Sequence, residues 1–196
     1  MAPLVSTDTT ARLLLSMTSI GFALSEVSIR LRSARNRGGS SADRGSIVAV
    51  VAGVAAGVVV AIRSADGVNA ATIPGRWVPF VVGLALMWLG VALRQWAVWT
   101  LGRFFTVVVR VAEGQRVVDR GPYRWVRHPS YTGLLLTLVG LGAALGSWLS
   151  VLALAVLPSI GLAIRIRVEE RALLAALGEP YREYAGRHRR LLPGIW

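Results

Sequence analysis

A chain of 196 residues that is 54% hydrophobic, with a mean hydropathy of +0.57, holds more apolar sequence, in longer blocks, than a soluble domain of this size can bury. It reads as an integral membrane protein. The net charge of +12 rests on 22 arginines and no lysine; they cluster between the apolar blocks, so anionic membrane lipids explain them better than nucleic acid does. With no cysteine and two well-separated histidines, a thiolate nucleophile, a disulfide and a thiolate metal site are excluded, and no metal centre is expected.

Residues 1–10 lack a basic n-region, which favours a retained first helix over a cleavable leader. That helix is expected from about Ala11 to Ile29, with the acidic Glu26 pairing with Arg30 one turn on. Arg30, Arg32, Arg35, Arg37 and Arg44 then crowd a Gly/Ser-rich loop, a cytoplasmic signature. The second span, Ser46 to Ile62, is almost all Val, Ala and Gly; Gly53 and Gly57, four apart, predict close packing on a neighbour. After a loop with arginines only at its ends, Arg63 and Arg76, the third span runs from Trp77 to about Leu101 and closes on interface aromatics, Trp96 and Trp99. Arg94 lies about two turns inside that end, where it is expected to snorkel.

Residues 102–130 carry Arg103, Arg110, Arg116, Arg120, Arg124 and Arg127. Within them, Phe104 to Val111, then Glu113-Gly114-Gln115, then Val117-Val118, suggest an extended segment, a turn and a return. The densest stretch follows: Gly121-Pro122-Tyr123-Arg124-Trp125-Val126-Arg127-His128-Pro129-Ser130-Tyr131-Thr132-Gly133. Gly121-Pro122 signals a turn, and His128-Pro129 a helix entrance whose free N–H groups could hold an anion. The plainer reading is a basic loop that orients a membrane helix by its charge. A fourth span, Tyr131 to Gly146, and a fifth, Leu149 to about Ile166 with Pro158 inside, are joined by Ser147-Trp148, too short for anything but an antiparallel hairpin. The tail predicts a helix from Val168 to Leu177, a break at Gly178-Glu179-Pro180, and a second helix to about Arg190. Arginine alternation fits five spans with the N-terminus outside and the C-terminus cytoplasmic. The expected fold is therefore all-α: a five-helix bundle, with residues 1–101 as three N-terminal helices and 102–196 as a second unit of loop, helical hairpin and tail. Loop 102–130 and tail 167–196 should meet over the hairpin's cytoplasmic mouth.

Gly121-Pro122-Tyr123, Arg127-His128-Pro129-Ser130-Tyr131-Thr132-Gly133, Glu169-Glu170, Gly178-Glu179-Pro180-Tyr181-Arg182-Glu183-Tyr184 and Leu192-Pro193 stand in order. As a set, over the last half of the chain, they resemble the isoprenylcysteine carboxyl methyltransferase family and the related phospholipid N-methyltransferases. The resemblance implies S-adenosylmethionine as cofactor, held by Arg127, His128, Pro129, Tyr131, Gly133, Gly140, Gly142, Glu169 and Glu170, to which the aromatic character of Tyr123 adds a further cofactor-binding candidate. In physical terms the Pro129 helix start with Arg127 suits the cofactor's carboxylate, and Glu169 and Glu170 its ammonium or ribose. Tyr123, Tyr131 and Trp125 offer aromatic faces, and Gly140 and Gly142 a close backbone approach. Membrane-helix packing is the competing reading of the two glycines. A lipophilic carboxylate acceptor would need only a cation, for which Arg94, Arg165, Arg167 and Arg171 are candidates; an amine would need a base, Glu170 or His128. The catalytic expectation is thus Arg94, Arg171 and Glu170. Phospholipid-amine methylation, an NADPH-dependent sterol-type reductase and a non-catalytic lipid binder are the alternatives.

Overall fold

A computed structural model describes residues 4–35, 40–41, 45–67, 71–112 and 114–192. Arg37, Arg44, Glu113 and Pro193 of the sequence reading lie outside the described residues. The helices are α1 (Leu4–Thr7), α2 (Thr9–Arg35), α3 (Ser46–Gly67), α4 (Trp77–Leu101), α5 (Pro129–Ala144), α6 (Trp148–Leu177) and α7 (Glu179–Arg187). Four stretches, Thr9–Arg35, Ser46–Ala65, Trp77–Phe104 and Trp148–Leu177, are long and apolar enough to cross a membrane. Large apolar side chains such as Leu24, Val48, Val78 and Leu152 point outward, as a lipid-facing surface requires. The expected fourth span is shorter than drawn from the sequence: α5 has 16 residues, about 24 Å of helix against a hydrocarbon core of roughly 30 Å.

Helix α5 lies at the centre, packed between α4 and α6; α3 covers α6, and α2 lies against α4. Missing side chains set these contacts. A Cβ on Gly83 would fall 2.6 Å from the Gly140 carbonyl oxygen, and one on Gly133 would fall 2.6 Å from that of Gly90. Glycines seven apart on α4 thus meet glycines seven apart on α5, backbone to backbone. The α3–α6 seam repeats the device: a Cβ on Gly161 would reach 2.4 Å from the Ala49 carbonyl oxygen, and one on Gly53 2.6 Å from that of Leu157. Packing runs across residue 101, where α4 and α3 are seamed to α5 and α6.

Local chemistry fixes the ends. Asp8 Oδ1 accepts from the Ala11 amide at 3.0 Å to open α2. Pro129 sits in the first turn of α5, and Gly178, at φ 61°, ends α6.

Three expectations need correction. The fifth span and the first tail helix are one uninterrupted 30-residue helix, α6; Gly161 stays helical in the seam with α3, and no second proline follows Pro158 before Gly178 ends the helix. The second tail helix ends at Arg187. Nor does 104–118 fold back on itself: Arg110–Val111 pairs antiparallel with Ser40–Ser41 of the first loop, and residues 117–118 carry no strand.

Candidate functional site

Where the 121–133 stretch meets the tail, the backbone is knitted first. The amides of Arg127 and His128 donate to the carbonyls of Arg189 and Arg190 at 2.8 and 2.9 Å, a short parallel pairing. Thr132 Oγ1 adds a bond to the Leu191 carbonyl at 2.8 Å. Tail residues therefore run directly beside the α5 entrance. The Tyr131 and Thr132 amides, which the sequence reading left free for an anion, turn back onto the His128 carbonyl at 3.0 and 3.1 Å. On the next turn of the tail, Tyr184 donates its hydroxyl to the Tyr123 carbonyl at 2.7 Å.

Charge then gathers on α6. Glu170 Oε1 lies 2.9 Å from Arg127 Nη2 and 3.3 Å from His128 Nε2. Its Oε2 accepts from Arg190 Nε and Nη2 at 3.1 and 3.0 Å. Both oxygens of Glu170 are thereby engaged, clamping loop, tail and α6 together. Glu169 is less committed: Oε2 accepts the Tyr131 hydroxyl at 2.7 Å, and its side chain is 29% exposed against 15% for Glu170. The Tyr131 hydroxyl also accepts from Arg165 Nε at 2.8 Å. Arg165 goes on to Ser46 Oγ at 3.0 Å and to the Val107 carbonyl. The His128 and Tyr131 rings stack at 5.5 Å.

A cavity of about 140 Å³ opens among these groups, lined by Arg94, Tyr123, Arg127, His128, Tyr131 and Glu169, and covered by the 104–118 segment. The arginine-histidine corner and the first glutamate of the pair thus share one pocket, to which α3 adds Ile47 and Val50. Burial raises the Tyr123 phenol pKa, and the nearby Glu169 adds to it. The Tyr181 and Tyr184 phenols are raised too, chiefly by burial, with Glu170 and then Glu169 adding at Tyr181 and Asp119 at Tyr184. All three stay neutral hydrogen-bond donors at physiological pH.

Other expected residues go elsewhere. Gly133 and Gly140 face α4, and a Cβ on Gly142 would meet Val151 Cα of α6 at 2.7 Å; the three glycines fill helix seams. Pro129 is buried at the helix start and, like Arg171, does not line the cavity. Arg171 is exposed. Trp125 is 52% exposed, its ring 5.6 Å from that of Trp96 at the surface. Arg94 does not snorkel: it is buried, with Nη2 donating to Glu26 Oε2 at 3.0 Å, Nε to Glu26 Oε1, and Nη1 to Ser130 Oγ at 2.8 Å. Glu26 accordingly pairs across to α4, not with Arg30. Ser46, Val107 and Arg190 were missed in the sequence as site residues, and Ser130 was in view only within its motif. Their contribution is contact across 20 to 119 positions of chain, which no local pattern signals; Tyr181 and Tyr184 were in view only as part of a motif.

Residues 82–175 match the isoprenylcysteine carboxyl methyltransferase (ICMT) family. Over 121 residues the chain is 36% identical to a probable protein-S-isoprenylcysteine O-methyltransferase of Oryza sativa subsp. indica, covering 61% of this chain and 63% of that protein. Over 107 residues it is 39% identical to protein-S-isoprenylcysteine O-methyltransferase B of Arabidopsis thaliana, covering 54% of each. The solved structure of a eukaryotic intramembrane Ras methyltransferase, ICMT, superposes with a TM-score of 0.57 at 25% identity, over 76% of this chain and 52% of that one. The chain thus spans less than two thirds of the length of each of these relatives. The matched segment runs from α4 into the last turn of α6 and carries the Arg127–Tyr131 corner together with Glu169 and Glu170; over this stretch, just under half of its length, the chain is similar to the isoprenylcysteine carboxyl methyltransferase family.

Proposed function

We propose that this protein transfers a methyl group from S-adenosylmethionine to the carboxylate of a lipophilic acceptor of the isoprenylcysteine type, at the cytoplasmic face of a membrane. The observation that carries the reading is the convergence of Arg127, His128, Tyr131 and Glu169 on one cavity. The donor set suits the cofactor. Arg127 keeps a buried Nε with no hydrogen-bond partner among the described residues, an N–H fitted to a carboxylate, and Glu169 retains acceptor capacity for an ammonium or ribose hydroxyls. The aromatic residues Tyr123, Tyr131 and Tyr181 line the same space, walls that tolerate both adenine and a sulfonium. When bound, the cofactor would supply an electrophilic methyl carbon: an acceptor carboxylate oxygen would bond to it as its bond to sulfur breaks, leaving a methyl ester and a neutral thioether with no proton to move.

The chain's own part is alignment and exclusion of water. Glu170, gripping Arg127, His128 and Arg190, holds the corner rigid against α6. Phe104, Phe105, Val107, Val109, Val117 and Val118 give the cavity its apolar cover. A carboxylate acceptor is favoured over an amine because the two candidate bases are already engaged: Glu170 by Arg127, Arg190 and His128, and His128 by carboxylates 3.3 and 3.8 Å from its ring nitrogens. The related names point the same way. Arginine alternation supports a cytoplasmic loop and tail with the N-terminus outside.

The test uses purified protein in lipid nanodiscs. Calorimetry should detect S-adenosylhomocysteine binding, and radiolabelled methyl should pass to a short prenylated cysteine with a free carboxylate, as an alkali-labile ester. Alkali-stable label, or NADPH binding with none for S-adenosylhomocysteine, would overturn the proposal.

A further inference from the structure

Five arginines line the cavity: Arg94, Arg110, Arg116, Arg127 and Arg165. Four are already engaged. Arg94 is bound by Glu26 and Ser130, Arg127 by Glu170 and the Ala185 carbonyl, and Arg165 by Tyr131, Ser46 and Val107; Arg110 has an interaction of its own. Arg116 differs: among the described residues it makes no hydrogen bond or ion pair.

Its position is nonetheless well specified. The preceding turn is closed twice, by the Gln115 amide donating to the Ala112 carbonyl at 3.1 Å and by the Ala112 amide donating to Gln115 Oε1 at 2.7 Å. Gly114, at φ 66°, supplies the left-handed residue such a turn needs. Arg116 emerges from this turn exposed to solvent, and Val117 and Val118 continue the cavity wall beside it. A cation at the mouth followed by an apolar wall complements a ligand with an anionic head and an apolar body. We infer that Arg116 binds the carboxylate of the methyl acceptor and makes the site prefer anionic lipophilic acceptors to neutral ones. This rests on the methyltransferase reading above. Arg94 and Arg171, which the sequence suggested for the task, are respectively neutralised by Glu26 and absent from the cavity lining.

Three measurements on the full chain in nanodiscs test this, with wild type, Arg116→Ala and Arg116→Lys. For Arg116→Ala, KM for the prenylated cysteine carboxylate should rise about 10- to 100-fold, the range for one lost charge-assisted hydrogen bond. Arg116→Lys should recover part of that loss. The Kd for S-adenosylhomocysteine and the inhibition constant of the acceptor's neutral carboxamide should stay within about twofold of wild type, since neither offers an acceptor carboxylate. An unchanged KM would overturn the inference. So would weakened S-adenosylhomocysteine binding with KM intact, which would reassign Arg116 to the cofactor. Failure of wild type itself to methylate the carboxylate would instead remove the underlying reading, and the inference with it.

Discussion

Replacing Gly140 by alanine separates two roles that the sequence left open for that residue, a cradle for the cofactor and a seam between helices. The added Cβ would lie 2.6 Å from the Gly83 carbonyl oxygen and 2.7 Å from the Met87 amide nitrogen, where ordinary contact begins at 3.4 Å. Both obstacles are backbone, so no rotamer change relieves them. Helices α4 and α5 must part by about 0.8 Å, the difference between 3.4 and 2.6 Å. Overpacking of this kind costs about 1–3 kcal/mol. At this chain length each kcal/mol lowers Tm by about 2–4 °C, so Gly140→Ala should melt roughly 2–12 °C below wild type. Tryptophan fluorescence on heating in detergent gives the Tm, and calorimetry at low temperature gives S-adenosylhomocysteine affinity for the folded protein, which should change less than about threefold. An unaltered Tm with affinity abolished would refute the packing argument and restore the cradle.

Further outcomes follow from the charged groups. Glu26→Gln leaves the buried Arg94 guanidinium without its counter-charge, a loss of about 3 kcal/mol; a double-mutant cycle with Arg94→Met should return a coupling well above zero in thermal melts, and additive effects would contradict the pair. Glu170→Ala should free the tail while Glu169→Gln should not: limited proteolysis ought to cut after α7 only in the former, whereas weaker S-adenosylhomocysteine binding with an intact tail is expected of the latter. Raised phenol pKa values at Tyr123, Tyr181 and Tyr184 mean that the folded chain holds these protons more tightly than the unfolded one. Their contribution is complete below the ordinary tyrosine value of about 10 and is lost as pH rises beyond it. Melts from pH 8 to 11 should therefore fall steeply near the top of that range, and Tyr184→Phe should flatten the fall.

Sequence legibility tracked the range of the interaction. Span positions, the Pro129 helix start and the Gly178 break are written in neighbouring residues, so they could be read directly. The corner at Arg127 and His128 and the acidic pair at Glu169 and Glu170 were visible as motifs, and their meeting followed from counting arginines in alternate loops. What escaped was lateral. Glu26 has Arg30 four residues on, a sound helical partner by spacing, yet the bundle offers Arg94 on another helix with bidentate geometry, and that geometry prevails over local spacing. For Gly140 and Gly142, small size served backbone contact and cofactor approach equally well; the backbone contacts with Gly83, Met87 and Val151 lie on other helices and carry no local signal. The continuity of α6 was hidden because charge begins at Arg165, and a change in polarity marks leaving the apolar phase, not the end of a helix.

That continuity has a mechanical side. One rod carries Leu154, fully buried in the bundle, and the two glutamates some four turns farther along. Their compass bearing is set by residue count alone. A single alanine inserted after Ile166 would swing both carboxylates about 100° around the axis and advance them about 1.5 Å, while four would nearly restore the bearing but displace them about 6 Å. The number of residues along this shaft is thus a ruler as well as a dial, fixing how far from the bundle and in which direction the acidic pair is presented.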